Sequence, residues 1–214
     1  ASPEAASVES SSAGSSENSQ QDASTADTFD TDEIEKKLNQ FVIRDDDLPH
    51  DYRLPPNAEF MLPTTTLINE IGELNAKGYV SSTGRVNGWG IHLERVNKED
   101  FAPVDMESRI ELFDTRGGAA LAISPEYFPA YQGDSAVTWV DGGCAIGDEC
   151  LFYFIESHDP VTDLTKHRYE VAFVYRNVLV WVMGRGLDID VAPQYILDAA
   201  ETLYQKLDDY AQNQ

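Results

Sequence analysis

The sequence predicts an α+β domain, with a mainly antiparallel sheet, helices packed on one face, and a disordered tail in front. Three observations carry this. Segments of strand-like alternation follow one another with short turns between them, the signature of antiparallel pairing. Apolar residues at helical spacing occur before these strands and again after them. Residues 1–30 are built from Ser, Ala, Glu and Gln, with Val8 the only large apolar side chain before Phe29. Such a stretch buries too little surface to offset a conformational entropy of roughly 1–2 kcal/mol per residue.

In chain order, Asp30 to Ile43 reads as a helix capped by Asp30 or Thr31, with Ile34, Leu38 and Phe41 on one face. Tyr52 to Leu62, interrupted by Pro55 and Pro56, reads as an edge strand or extended loop. Thr64 to Lys77 reads as a second helix, with Leu67, Ile68, Ile71 and Leu74 on one face and Gly78 as its stop. Tyr79 to Arg85 is a strand candidate. Asn87 to Val96 and Met106 to Asp114 alternate as strands, and Arg116 to Ile123 is a short helix ended by Ser124-Pro125. Ser135 to Val140 and Leu151 to Ser157 are strands. His167 to Arg176 and Val178 to Met183 form the clearest pair, with Asn177 expected to take the positive φ of a tight turn. Val178-Leu-Val-Trp-Val-Met183 is apolar on both faces, which places it centrally in the sheet. Pro193 to Tyr210 closes the chain as a long helix striped by Ile196, Ala200, Leu203 and Leu207. The expected domain spans 31–211.

The chain has 214 residues, 38 acidic and 15 basic, and a formal net charge of -23. Eight acids and no Lys or Arg fall in the first 33 residues. A field of this sign opposes nucleic acid and anionic membrane surfaces alike. No run of about 18 apolar residues is present. The acidity suits solubility, an extended tail and a basic partner.

Cys144 and Cys150 lie six apart around Gly147 in Asp141-Gly-Gly-Cys-Ala-Ile-Gly-Asp-Glu-Cys150. A structural disulfide is expected. Metal sites use spacings of two to four with further ligands close by, and redox pairs are usually CxxC. A disulfide implies an oxidising compartment. The sequence opens on Ala, as a mature protein does after an upstream segment is removed, and the expected location is extracytoplasmic. The start resembles a bacterial lipoprotein just past its lipidated Cys, so contact with a membrane is expected only through an N-terminal anchor outside this sequence.

Four short segments, Asp46-Asp-Leu-Pro-His-Asp-Tyr52, Ile146-Gly-Asp-Glu149, Tyr175-Arg-Asn-Val-Leu-Val-Trp-Val182 and the helix from Ala192 through Leu207, together resemble bacterial lipoprotein domains. They are similar to the extracellular sensor-like domains attached to mycobacterial serine/threonine kinases. His50-Asp51 stands where those proteins have Gly. The resemblance spans most of 45–208 and implies a binding or sensing domain without catalysis. It carries over no ligand residues.

Candidate chemistry is sparse. His50, His92, His158 and His167 form no HxH, HxxxH or HExxH pair, so no metal site is expected. The acid cluster Asp45, Asp46, Asp47 and Asp51 lacks the Gly-bearing turn of a calcium loop, and Asp188 with Asp190 makes a second solvated pair. There is no GxSxG elbow, and Gly84, Gly88 and Gly90 lack phosphate-loop spacing. No cofactor is expected. The aromatic run Tyr127-Phe128-Pro129-Ala130-Tyr131 is the candidate binding element: Tyr127, Phe128 and Tyr131 either meet a partner or fold back over the core. Trp89, Trp139 and Trp181 are expected in the core. The leading expectation is a non-catalytic binding or sensing module for a protein partner or a small apolar ligand. An accessory subunit of a membrane-bound assembly is the alternative, and a hydrolase with a scattered site the third.

Overall fold

The computed structural model describes residues 28–98, 101–131, 137–187 and 190–214. Most of the expected tail, residues 1–27, lies outside the described residues, as does Asp188.

The described chain forms α1 (Thr31–Glu35), β1 (Tyr52–Arg53), β2 (Glu59–Met61), α2 (Thr64–Ile71), α3 (Glu73–Thr83), β3 (Arg85–Arg95), β4 (Asp105–Phe113) and α4 (Arg116–Ala122). It continues with β5 (Val137–Trp139), β6 (Glu149–Asp159), β7 (Leu164–Tyr175), β8 (Val178–Leu187) and α5 (Pro193–Gln212). The strands make one antiparallel sheet in the order β1-β3-β4-β8-β7-β6-β5, with β2 also pairing along β3. The expected α+β class and antiparallel sheet are therefore found. β8 sits between β4 and β7, the central position that its two-faced apolar sequence demanded.

Side-chain alternation on β8 separates the two faces. Val178, Val180 and Val182 point into the larger core, where α5 lays down Ile196, Ala200, Leu203 and Leu207. Each fully buried Val, Leu or Ile among them contributes about 1.5–3 kcal/mol. Phe29, Ile34 and Leu38 from the N-terminal segment join this face. Leu179 points the other way, into a smaller cluster with Ala119, Ala122, Ile123 and Phe128. Thus α5 covers one face along its length, as expected, while α4 adds a shorter cover at one end of the other.

Five local expectations are corrected. The first helix stops at Glu35 and gives way to a 3-10 turn at Leu38–Gln40. Phe41, Val42 and Ile43 are all buried in succession, which a helix on a surface cannot do, and the Ile43 N–H donates to Ser108 Oγ on β4. The second helix is broken at Gly72, whose φ of 83° only glycine adopts without strain. The break sends Leu74 into solvent at 85% exposure, so the apparent apolar stripe is not continuous. Tyr79 to Thr83, expected as strand, completes α3. There Thr83 Oγ1 donates to the Tyr79 carbonyl and the Tyr79 hydroxyl donates to Glu111 on β4. At the β7–β8 turn, Arg176 rather than Asn177 takes the positive φ of 54°. Trp139, expected in the core, is 42% exposed.

Asn177 instead is fully buried and works as a clasp. Its Oδ1 accepts the Phe29 N–H at 2.7 Å, and its Nδ2 donates to the carbonyls of Phe113 (2.9 Å) and Phe29 (3.2 Å). The Phe29 ring packs against Tyr175 and Tyr210, and the Arg176 guanidinium lies 4.9 Å over it.

The disulfide between Cys144 and Cys150 is present, with Cα atoms 5.7 Å apart. Gly147, at φ 68°, lets this loop close onto β7: a Cβ there would fall 2.3 Å from the Val174 carbonyl oxygen, which accepts the N–H of Asp148 at 2.6 Å.

Candidate functional site

α4 and Phe128 roof only part of the second sheet face. Among the described residues the sheet runs on beyond Phe128 without helical cover, and the strand register sets its floor in rows. The first row pairs Arg109 on β4 with Trp181 on β8 and Ala172 on β7. The second aligns Glu107, Met183, Glu170 and Tyr153 across four strands. The third aligns Asp105, Arg185, Arg168 and Ile155. Leu187, Lys166 and Ser157 make the last row at the open end.

Charge on this floor is ordered from the covered end outward. Arg109 donates to Glu107 at 2.7 Å, meets Glu70 of α2 at 3.4 Å, and lies 5.4 Å over the Trp181 ring. Burial alone would lower its pKa; Glu107, Glu70 and Glu111 outweigh that and hold the guanidinium charged. Glu170 is wholly buried, accepts the Tyr153 hydroxyl at 2.5 Å and faces Arg168 Nε at 2.5 Å. Burial raises the Glu170 pKa despite these partners. Burial, with the neighbouring Glu170 carboxylate, also pushes the Tyr153 hydroxyl far above its ordinary range. Arg185 donates to Asp105 at 2.6 Å, and the second oxygen of Asp105 lies 3.2 Å from His92 Nε2.

Among the described residues two larger hollows stand out on this floor. The inner one, about 130 Å³, is bounded by Tyr127 and Phe128 above, Trp181 and Arg109 below, and Leu67 and Ile71 of α2 at the side. The outer one, about 490 Å³, lies over the third and last rows at the open end. The inner hollow is a small aromatic slot with one cation; the outer is a broader groove.

The structure divides the three aromatic candidates. Phe128 is buried and folds back over the core, edge-on to Tyr153 and Trp181. Tyr127 packs on Tyr79 and lines the inner hollow. Tyr131 packs instead against Trp139, the rings tilted by 35° with centroids 4.9 Å apart, and the two are 38% and 42% exposed. Trp181, expected in the core, packs against the smaller core cluster and also forms part of the floor of the inner hollow. Trp89 is half-buried and donates to Glu59 at 3.0 Å.

The remaining candidates have structural partners. His158 faces Asp163 at 3.3 Å, His167 faces Glu156 at 3.1 Å, and His50 stacks on Tyr195. Asp47 holds Lys206 of α5 at 2.5 Å and caps the Arg44 N–H. Asp190 lies 3.8 Å from Arg95. Among the described residues no three His, Cys, Asp or Glu side chains converge as a metal would need. Of the residues that do converge, Trp181 was marked in the sequence as a core residue, whereas Arg109, Glu170, Arg168 and Arg185 were not singled out as site residues. Their one signal was a row of charges on the outward positions of strands that are otherwise apolar.

No family model and no curated protein matches the chain. Among solved structures, the crystal structure of the extracellular domain of PknH from Mycobacterium tuberculosis is similar. The TM-score is 0.57, over 82% of this chain and 96% of that one, at 9% sequence identity. The likeness to extracellular domains of mycobacterial kinases, first drawn from short motifs, therefore holds at the level of fold.

Proposed function

We propose that the chain is a non-catalytic, extracytoplasmic binding or sensing module that takes its ligand on the open half of the second sheet face. The observation that carries this reading is the floor beyond Phe128. Polar and aromatic side chains from β4, β6, β7 and β8 converge there in two hollows, where a solvated sheet would simply be flat. The fold likeness to a domain described as extracellular and the Cys144–Cys150 bridge support the location. Attachment through a lipid on the N-terminal arm is part of this proposal.

The test is thermal unfolding of the full chain against fractionated envelope extract. A ligand at 100 times its Kd adds about 2.7 kcal/mol, a readily measured rise in Tm. The shift should vanish in Trp181→Ala and shrink in Arg109→Gln. If no fraction shifts Tm, or both variants respond like the parent, the reading fails. A docking role in a larger assembly draws support from the exposed Tyr131–Trp139 pair. Cross-linking from position 139 in intact envelope distinguishes it.

A further inference from the structure

The outer groove inverts the charge of the protein. In a chain with 38 acids and 15 bases, its lining among the described residues carries Lys166, Arg168 and Arg185 against the carboxylate of Asp105, with Glu170 and Asp159 beside Arg168 and Lys166. Arg168 and Arg185 are moreover direct partners across β7 and β8. Like charges so placed repel. Each arginine meets its own carboxylate through Nε, and their side chains remain 42% and 54% exposed. The terminal amino groups of two adjacent guanidiniums thus stand beside the groove as donors suited to one shared oxyanion. Lys166 lies 3.8 Å from Asp159 and is 55% exposed. Val104, Ile155 and Leu187 supply the apolar part of the wall, and Ser157, His167 and Gly186 complete it. About 490 Å³ is within the range of sites for small ligands.

We propose that this groove takes one single-chain amphiphile with a phosphate or carboxylate head. The head is held between Arg168 and Arg185 with Lys166 beside them, and the chain lies on Ile155, Val104 and Leu187. This rests on reading the open sheet face as a binding surface and names the ligand class of its outer part. The net charge of -23 does not forbid it. At physiological salt, charges beyond about 8 Å are largely screened, so the local interaction is set by the three cations together with the carboxylates paired to them, and the guanidinium edges turned away from those carboxylates are what a head group would meet. The same net charge does oppose docking on an anionic bilayer, so the ligand is bound as a monomer.

The experiment is titration calorimetry of the full chain with dodecyl phosphate below its micellar concentration. Octyl phosphate, inorganic phosphate and uncharged dodecyl maltoside are run beside it. Dodecyl phosphate should bind one to one, at least about tenfold tighter than inorganic phosphate or the maltoside, with octyl phosphate between. Arg185→Gln and Lys166→Gln should each weaken it about tenfold, with unchanged circular dichroism and Tm, and added salt should weaken the parent more than either variant. Equal binding of inorganic phosphate overturns the role of the chain. Equal binding of the maltoside overturns the role of the head. No binding, or variants that match the parent, overturns the assignment. If an envelope fraction still shifts Tm through Trp181 while dodecyl phosphate fails, only this inference falls and the broader reading stands.

Discussion

Replacing Asn177 by alanine removes the clasp that joins the N-terminal segment to the sheet. Three buried backbone groups then lose their partner: the N–H and carbonyl of Phe29 and the carbonyl of Phe113. Phe29 is 2% exposed and Phe113 is fully buried, so water does not reach either without local opening. At about 1–3 kcal/mol for each group left unsatisfied, and with partial relaxation, the expected loss is about 3–5 kcal/mol. With a urea m-value of about 2 kcal/mol/M, the midpoint falls by roughly 2 M at constant m. A second variant separates the clasp from a turn role. If Asn177 served only the turn geometry, Asn177→Gly would be harmless; as a clasp it should cost as much as Asn177→Ala. Arg176→Gly is the control, since it relieves a positive φ of 54° but forfeits the cation over the Phe29 ring, two effects of about 1 kcal/mol each and opposite sign. The reasoning is refuted if Asn177→Gly leaves the urea midpoint within about 0.5 M of the parent.

Reduction of the Cys144–Cys150 bridge, or Cys144→Ser with Cys150→Ser, should cost about 2 kcal/mol by loop entropy, and a Tm unchanged by reductant would contradict it. Glu170 has a folded pKa above its unfolded one, so the native state binds the extra proton and stability falls as pH rises from the ordinary carboxylate value through the raised one. Glu170→Gln should flatten that slope in urea titrations between pH 4 and 8; an identical slope in the variant removes the assignment. In an alkaline absorbance titration of the ten tyrosines, Tyr79 and Tyr153 should stay unionised until the protein unfolds, while Tyr175, pushed up by burial and by Asp208, should ionise at about 12. Substituting Tyr153 by Phe should leave the native titration unchanged.

Much of the sheet was legible because period two is a strong signal when one face is buried. β3 and β4 follow it, β8 is legible instead from its apolar run on both faces, and α5 follows its own stripe. The failures have local causes. A helical stripe through Leu67, Ile71 and Leu74 reads as one helix because periodicity is blind to the positive φ that Gly72 adopts. Tyr79 to Thr83 has strand-forming composition, and its helical state is decided by contacts with Glu111, 32 residues from Tyr79. The open floor was the least legible part. Arg109, Arg168 and Arg185 each look like an ordinary outward charge on its own strand, and only the register of β4, β7 and β8 makes them neighbours. The aromatic run, by contrast, stood out in sequence but is split in space among roof, slot and exposed pair.

The clasp at Asn177 also gives the domain a handle. Phe29 is pinned at the corner where β7 turns into β8, so the described chain enters the domain at that corner. The cationic groove lies at the far ends of the same two strands, at Lys166 and Leu187. Ten residues of strand separate Lys166 from Arg176, a lever of about 33 Å. A domain hung by this corner presents its groove outward, away from the point of suspension. Tension along the arm would be borne first by one amide and one aromatic ring, and it would peel the N-terminal segment before it reached the groove.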